Sequence, residues 1–205
     1  MSEYGVVLFD FDGVLSHGRF YSGLIKKQPE TYQRIEAEIF APPAQLAVDW
    51  MRGKKSSRDI NLHLSNITGL PAVELEGYLR RSVENMELEK SLLDLARDLR
   101  SDGAKTGIVT DNMDIFTDIT VPRQNLEKIF DVIVNSADYG YLKQDRNGYL
   151  FDVACRELKK EDFKDVLLVD DSKSNCRLFT DKGGEAILYQ KESDLENMLT
   201  DRQCR

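Results

Sequence analysis

Two pairs of aspartates each follow a short apolar run. Asp10 and Asp12 come after residues 4–9, and Asp170 and Asp171 come after residues 166–169. Crowded carboxylates are costly unless a cation lies between them, and an all-oxygen ligand set suits a hard ion such as Mg²⁺. Taken alone, each pair is also compatible with a solvated turn or a helix N-cap. At the end of a buried strand, however, the pattern favours a metal site.

Two further polar residues belong to the same series. Thr110 ends the apolar run 107–109, and Lys143 lies in the segment 139–145. Taken alone, the threonine could equally be a helix N-cap, and the lysine could equally be a solvated loop residue. In chain order the candidates form an acid pair, a threonine, a lysine and a second acid pair. The joint pattern is far more specific than any one of its members.

The elements that must position these residues are alternating strands and helices. Apolar runs predict five strands, and their continuous β-branched and aliphatic character is typical of parallel strands covered on both faces. The strands are expected at residues 4–9, 105–109, 132–134, 166–169 and 186–189. Helical spacing predicts helices near residues 92–99 and 151–158, and Ser193 with Glu196 forms a capping-box pattern for a last helix. The expected fold class is α/β, a doubly wound parallel sheet with a Rossmann-like core.

The stretch from about residue 20 to residue 85 breaks this alternation. It contains no convincing strand, and its helical runs cover residues 31–40, 44–51, 58–68 and 72–85. Prolines and glycines separate these runs. We therefore expect an α/β core domain made of residues 1–18 and 86–205, with a small α-helical cap domain at residues 19–85.

The ordered series of motifs resembles the haloacid dehalogenase-like hydrolase superfamily, in its phosphatase branch with a helical cap between the first and second motifs. Residues 10–14 (DFDGV) are similar to its nucleophile motif. Thr110 matches the second motif, Lys143 the third, and Asp170 with Asp171 the fourth. The resemblance covers nearly the whole chain.

The resemblance implies a role for each motif residue. Asp10 would be the nucleophile that forms an aspartyl-phosphate, and Asp12 the general acid and base. Thr110 would hold phosphoryl oxygens, and Lys143 would neutralise Asp10 together with the phosphate. An acid at position 12 favours phosphoryl transfer, because dehalogenases of the family lack an acid there.

The resemblance also implies a cofactor and a substrate set. Mg²⁺ would be held by Asp10, by the backbone carbonyl of Asp12 and by Asp171, with Asp170 acting through water. The expected substrate-binding residues are Thr110, Asn112, Lys143 and Arg19. A closing helical cap favours a small phosphorylated substrate, with sugar phosphates as one candidate class.

The sequence departs from the family pattern at two places. Gln144 stands where many relatives have proline after the lysine, with Arg146-Asn147-Gly148 inserted nearby. Asp111 stands where many relatives have asparagine after the threonine. The departures leave the geometry of the Lys143 loop open and the acid at position 111 without a role.

Composition narrows the remaining choices. The chain has 205 residues, a net charge of −8 and no basic stripe, which disfavours nucleic acid as a partner. No apolar segment approaches the ~20 residues of a membrane span, and three cysteines without a C-x-x-C pattern suit a reduced, cytoplasmic protein. We expect a monomer or homodimer.

Three other functions remain compatible with parts of the pattern. A phosphomutase would use the same Asp10 chemistry and require a bisphosphate activator. A non-catalytic phosphate- or ligand-binding regulator would show no metal-dependent turnover. A response-regulator-like receiver is disfavoured, because its phosphorylated aspartate follows a middle strand of the chain.

Overall fold

A single parallel sheet forms the centre of the protein. The structure, a computed structural model, describes residues 4–190. Its strands are β1 (Val6–Phe9), β2 (Lys105–Thr110), β3 (Val132–Asn135), β4 (Val166–Asp170) and β5 (Glu185–Leu188). They are ordered β3-β2-β1-β4-β5, and every neighbouring pair is parallel. The predicted α/β fold class is confirmed, and each predicted strand lies within two residues of an observed one.

The register of the sheet brings the candidate residues to one edge. Phe9 at the end of β1 is aligned with Ile108 of β2 and with Val169 of β4. The residues that follow these strands therefore emerge side by side at their carboxyl ends. Strands β2 and β3 lie on one side of β1, and β4 and β5 lie on the other. The strand order therefore reverses beside β1, and ligands of parallel sheets bind in the crevice at such a topological switch point.

The first five of the six helices between β1 and β2 lie within residues 19–85. They are α1 (Leu24–Lys27), α2 (Pro29–Phe40), α3 (Gln45–Met51), α4 (Ser57–Thr68) and α5 (Ala72–Glu84). Local chemistry sets their ends: Pro29 begins α2 at N1, Ser56 and Asp59 form a capping box for α4, and Gly69 ends α4 with φ of 77°. We call residues 19–85 the insert.

The remaining helices connect the later strands. They are α6 (Lys90–Ser101), a π-helical turn (Phe116–Thr120) that continues into α7 (Val121–Gln124), a 3-10 turn (Leu126–Lys128), α8 (Ser136–Tyr139), a second 3-10 turn (Asp145–Asn147), α9 (Tyr149–Glu157) and α10 (Lys173–Asp181). The helices predicted near residues 92–99 and 151–158 correspond to α6 and α9. The capping box predicted at Ser193 and Glu196 lies outside the described residues.

Two hydrophobic clusters cover the two faces of the sheet. Val7 and Phe9 point into one cluster and Val6 and Leu8 into the other, as the period of two along a strand requires. The first cluster continues without a break into the insert, where it includes the fully buried Trp50. The insert and one face of the sheet thus share a core. Within residues 4–190, no helix is long and apolar enough to cross a membrane.

Candidate active site

A buried lysine links two of the predicted carboxylates. The Lys143 Nζ lies 2.6 Å from the Asp10 Oδ2 and 2.7 Å from the Asp170 Oδ2. The Lys143 side chain is 2% exposed, so these contacts are shielded from solvent. Residues that lie 133 and 27 positions away in sequence are thereby joined at the carboxyl ends of β1 and β4. The structure brings together three of the residues that the motifs singled out.

Burial and charge act in opposite directions at this pair. Burial raises the pKa of Asp10 to about 7, and the neighbouring Lys143 limits that rise. Burial alone would lower the pKa of Lys143, but Asp10, Asp170 and Asp111 outweigh it and raise that pKa above its ordinary value. Lys143 is therefore a fixed positive charge at neutral pH. Near neutral pH, Asp10 is only partly ionised, and a further cation beside it would favour the carboxylate form.

Asp12 occupies a more accessible position. The residue is exposed, and its Oδ2 accepts a hydrogen bond of 3.2 Å from the Asn112 Nδ2. Protein packed around the carboxyl group raises its pKa to about 6, with Lys143 lowering the pKa and Asp171 raising it. A carboxyl group with such a pKa can both give and take a proton near neutral pH.

Three carboxylates form a cluster that fits a divalent cation. One oxygen each of Asp10, Asp170 and Asp171 lies within 4.8 Å of the others. Together with Asp12 and Asp111, these carboxyl groups outnumber the ammonium group of Lys143, and a hard cation would offset the excess negative charge. Gly13 makes room for this arrangement, because a Cβ at position 13 would overlap the Asp171 carboxylate. The backbone of Gly13 also has a φ of 80°, which favours glycine.

Asp170 is the most constrained member of the cluster. It is fully buried, its Oδ2 contacts Lys143, and its Oδ1 accepts a hydrogen bond of 2.8 Å from the Ser172 N–H. The Asn175 Nδ2 lies 3.1 Å from both oxygens. With both oxygens already engaged, Asp170 is better placed to orient Lys143 than to give up an oxygen to a metal. Asp171 is exposed and free of such restraint.

Thr110 carries a buried hydroxyl group with an unmet hydrogen bond. The residue is fully buried at the end of β2, and its Oγ1 has no partner among the described residues. Buried hydroxyl groups are nearly always paired in folded proteins. An orphaned hydroxyl at this edge of the sheet fits a ligand oxygen.

The two departures from the family pattern acquire structural explanations. The Asp111 Oδ1 accepts a hydrogen bond of 2.7 Å from the Lys143 backbone N–H, so this acid anchors the lysine loop. The Gln144 Nε2 lies 2.6 Å from the Asn175 Oδ1, and Asn175 in turn contacts Asp170. Sequence reasoning missed Asn175 entirely. Its one signal is its position on the first turn of the helix that follows the second acid pair.

Arg19 lies apart from this group. Its guanidinium faces Glu36 of the insert at 4.0 Å, and its side chain is 69% exposed. It lines a surface cleft of about 470 Å³ with His17, Met86 and Glu89, and neither Asp10 nor Lys143 lines that cleft. The substrate-binding role of Arg19 stays a prediction, as does that of Asn112, which does contact Asp12.

Contacts between the insert and the loops after β2 and β3 were not evident from the sequence. Asp114 accepts hydrogen bonds from the Trp50 Nε1 at 2.8 Å and the Ser57 N–H at 2.7 Å. The Arg52 Nη2 lies 2.8 Å from the Asp145 Oδ1. Both acids follow motif residues closely in sequence. The insert is therefore fastened to the segments that carry Thr110 and Lys143.

Comparison with known proteins identifies the family. A family model described as haloacid dehalogenase-like hydrolase matches residues 4–177. The chain belongs to this family of hydrolases. Among curated proteins, none matches the sequence.

Solved structures at low identity share the fold. A HAD-like family hydrolase from Porphyromonas gingivalis is 19% identical, with a TM-score of 0.74 over 100% of this chain and 99% of the other. A HAD family enzyme from Bacteroides thetaiotaomicron in complex with magnesium and inorganic phosphate is 16% identical, with a TM-score of 0.72 over 94% and 98%. A 2-haloacid dehalogenase from Pseudomonas syringae pv. Tomato DC3000 is 16% identical, with a TM-score of 0.62 over 91% and 86%.

Proposed function

We propose that this hydrolase is a magnesium-dependent phosphomonoesterase that acts on a small phosphorylated metabolite through an aspartyl-phosphate on Asp10. The observation that carries the proposal is the buried Lys143, which bridges Asp10 and Asp170 while the Thr110 hydroxyl at the same edge lacks a partner. A fixed cation and an unpaired hydroxyl donor are what a bound phosphoryl group requires.

The residues divide the reaction into two displacements. The Asp10 carboxylate attacks phosphorus, and the bond from phosphorus to the leaving oxygen breaks as that oxygen takes the Asp12 proton. Water then attacks the phosphorus of the aspartyl-phosphate, Asp12 takes a proton from the water, and Asp10 leaves as a carboxylate. Lys143 offsets negative charge throughout, and the Thr110 hydroxyl donates to a phosphoryl oxygen.

Asp10 and Asp171 would hold Mg²⁺, with the Asp12 backbone carbonyl as a further ligand and Asp170 acting through water. When bound, Mg²⁺ supplies the positive charge that lets one anion approach another. The acidic cluster supports this assignment, and so does the bound magnesium and phosphate in the Bacteroides thetaiotaomicron enzyme of the same fold.

Asp12 favours phosphoryl transfer over dehalogenation. A halide leaves without needing a proton, whereas an alkoxide requires one. Asp12 has a pKa of about 6, so its carboxyl group can give a proton to a leaving oxygen near neutral pH, and the Asn112 side chain holds it by a hydrogen bond to Oδ2. The fold alone does not decide this point, since a 2-haloacid dehalogenase shares it.

The insert would act as a cap that selects the substrate. It shares a hydrophobic cluster with one face of the sheet and is fastened to the core through Asp114 and Asp145. A cap over the carboxyl edge of the sheet limits access and favours small molecules over proteins.

The test is hydrolysis of an aryl phosphate and a panel of small phosphate esters with Mg²⁺ and with a chelator. Turnover is expected to require Mg²⁺ and to be lost in Asp10→Asn, which keeps the shape of the side chain. Activity restored by a bisphosphate activator would indicate a phosphomutase instead. A folded protein that loads Mg²⁺ and turns over none of these esters would contradict the proposal and favour a binding role.

A further inference from the structure

The turn that carries Lys143, residues 142–145, is held by contacts on both sides. The Asp145 N–H donates to the Leu142 carbonyl at 2.9 Å, and the Leu142 N–H donates to the Asp145 Oδ2 at 2.8 Å. Between them, the Lys143 N–H donates to Asp111. The backbone and the side chain of Asp145 thus both bond to Leu142, the residue before Lys143, and close the turn.

The second oxygen of Asp145 contacts the insert. The Arg52 Nη2 lies 2.8 Å from the Asp145 Oδ1, and the two side chains are 28% and 26% exposed. A half-buried, charge-assisted hydrogen bond of this kind is stronger than an ion pair in open solvent. One carboxylate therefore joins the insert to the lysine turn across 93 residues of sequence.

The residues on either side of Arg52 lie against the same part of the core. The Ser136 Oγ lies 2.6 Å from the Met51 carbonyl oxygen. Gly53, with φ of 63°, approaches the Ala137 carbonyl so closely that a Cβ would overlap it. Residues 51–53, which we call the docking corner, therefore rest on residues 136–145. This contact is tight enough that movement of the insert must disturb it.

The docking corner also contacts the segment that orients Asp12. Ser136 accepts a hydrogen bond of 3.0 Å from the Asn112 N–H, and the Asn112 side chain donates to Asp12. The docking corner therefore contacts the Lys143 turn directly, and it reaches Asn112, the hydrogen-bond partner of Asp12, through Ser136.

We infer that Arg52 and Asp145 are positioning residues that couple docking of the insert to the placement of Lys143, an inference that rests on the proposed phosphatase function. When the docking corner is seated, Arg52 fixes the Asp145 carboxylate, and Asp145 closes the turn so that Lys143 reaches Asp10. When the corner is displaced, Asp145 loses its outer anchor and the turn loosens. The site is thus complete only with the insert in place, which ties charge neutralisation at Asp10 to closure over a substrate.

The first experiment measures kcat and KM of Arg52→Ala, Arg52→Lys and Asp145→Asn on an aryl phosphate with Mg²⁺. The matched control is Lys54→Ala, which removes a neighbouring cation whose partner, Asp49 at 3.6 Å, lies within the insert. Arg52→Ala and Asp145→Asn are expected to lower kcat about tenfold with KM changed less than about twofold, because a misplaced Lys143 weakens the transition state more than binding. Arg52→Lys should recover part of the loss, and Lys54→Ala should match the wild type.

The second experiment does not depend on activity. The Leu142 and Lys143 amides are both hydrogen bonded, so hydrogen exchange of residues 141–144 reports the order of the turn. Exchange should be faster in Arg52→Ala than in the wild type or Lys54→Ala, with the same thermal midpoint to within a few degrees.

Three outcomes would overturn the inference. They are unchanged exchange in Arg52→Ala, a loss of kcat as large in Lys54→Ala, and a rise in KM alone, which would place Arg52 on the substrate. If the wild-type protein hydrolyses no phosphate ester, the proposed function fails, and the exchange experiment still decides whether the insert orders the lysine turn.

Discussion

Replacement of Lys143 by methionine tests the electrostatics of the site most sharply. Methionine keeps an unbranched side chain but leaves the Oδ2 atoms of Asp10 and Asp170 without the ammonium group that lies 2.6 Å and 2.7 Å away. Breaking a buried ion pair by removing one partner costs about 3–5 kcal/mol. Because the Oδ1 atoms keep their bonds to the Phe11 and Ser172 amides, we expect the lower end, about 3 kcal/mol of unfolding free energy.

This cost should depend on pH in a defined direction. Burial raises the pKa of Asp10 to about 7, above the value of about 3.9 for an unfolded aspartate, so the folded protein binds more protons between these limits. Stability of the metal-free protein should therefore fall as pH rises from about 4 to about 7. Loss of Lys143 raises the pKa of Asp10 further, so the penalty should be largest near pH 8 and shrink towards pH 5.

The assay is urea or thermal unfolding of the wild type and Lys143→Met in chelator, at several pH values. A loss of about 3 kcal/mol corresponds to a drop in midpoint of roughly 6–12 °C for a chain of this size. Lys105→Met is the matched control, because Lys105 is exposed and its ammonium group donates to the Leu158 carbonyl, so its loss should cost less than about 1 kcal/mol. A Lys143→Met protein as stable as the wild type at pH 8, or one destabilised more at pH 5, would refute the reasoning.

Three further variants probe other parts of the site. Asp12→Asn should lower kcat by about 10²–10⁴ for alkyl phosphates and by less for p-nitrophenyl phosphate, whose leaving group needs no proton; equal losses on both esters would contradict its role as an acid. Asp114→Ala should cost about 2–3 kcal/mol in urea unfolding, because it leaves the Trp50 indole and the Ser57 amide without their acceptor, and an unchanged midpoint would mean that it does not fasten the insert. Gly13→Ala should weaken Mg²⁺ binding in calorimetry, because its Cβ would overlap the carboxylate of Asp171, a proposed Mg²⁺ ligand, and wild-type affinity would argue against that site.

The sheet was predictable because its signal is local. Continuous apolar runs of strand length are typical of parallel strands buried on both faces, and all five strands formed within two residues of their predicted bounds. Four of the five insert helices, α2 to α5, were also predicted, because prolines and glycines mark their ends, whereas the single turn of α1 was not. The π-helical turn at Phe116–Thr120 was not predicted, because such turns are rare and five residues are too few to show a hydrophobic period.

The sequence predicted which motif residues would lie together, but not the contacts that support them. Asp10 and Lys143 carry an ordered motif, and the structure joins them. By contrast, Asp111 accepts a hydrogen bond from the Lys143 backbone amide and the Asn175 side chain donates to the Asp170 carboxylate. Such contacts depend on three-dimensional placement that sequence spacing does not encode. The Arg52–Asp145 pair, which spans 93 residues of sequence, could not be predicted for the same reason.

The most direct test of the account is to trap the phosphorylated residue. Wild-type protein would be quenched during turnover of a small phosphate ester with Mg²⁺ and reduced with borohydride, which converts an aspartyl-phosphate to homoserine. The account predicts homoserine at position 10 of the wild type and none in Asp10→Asn. Sustained turnover with an unmodified Asp10, or with homoserine at another position, would contradict it.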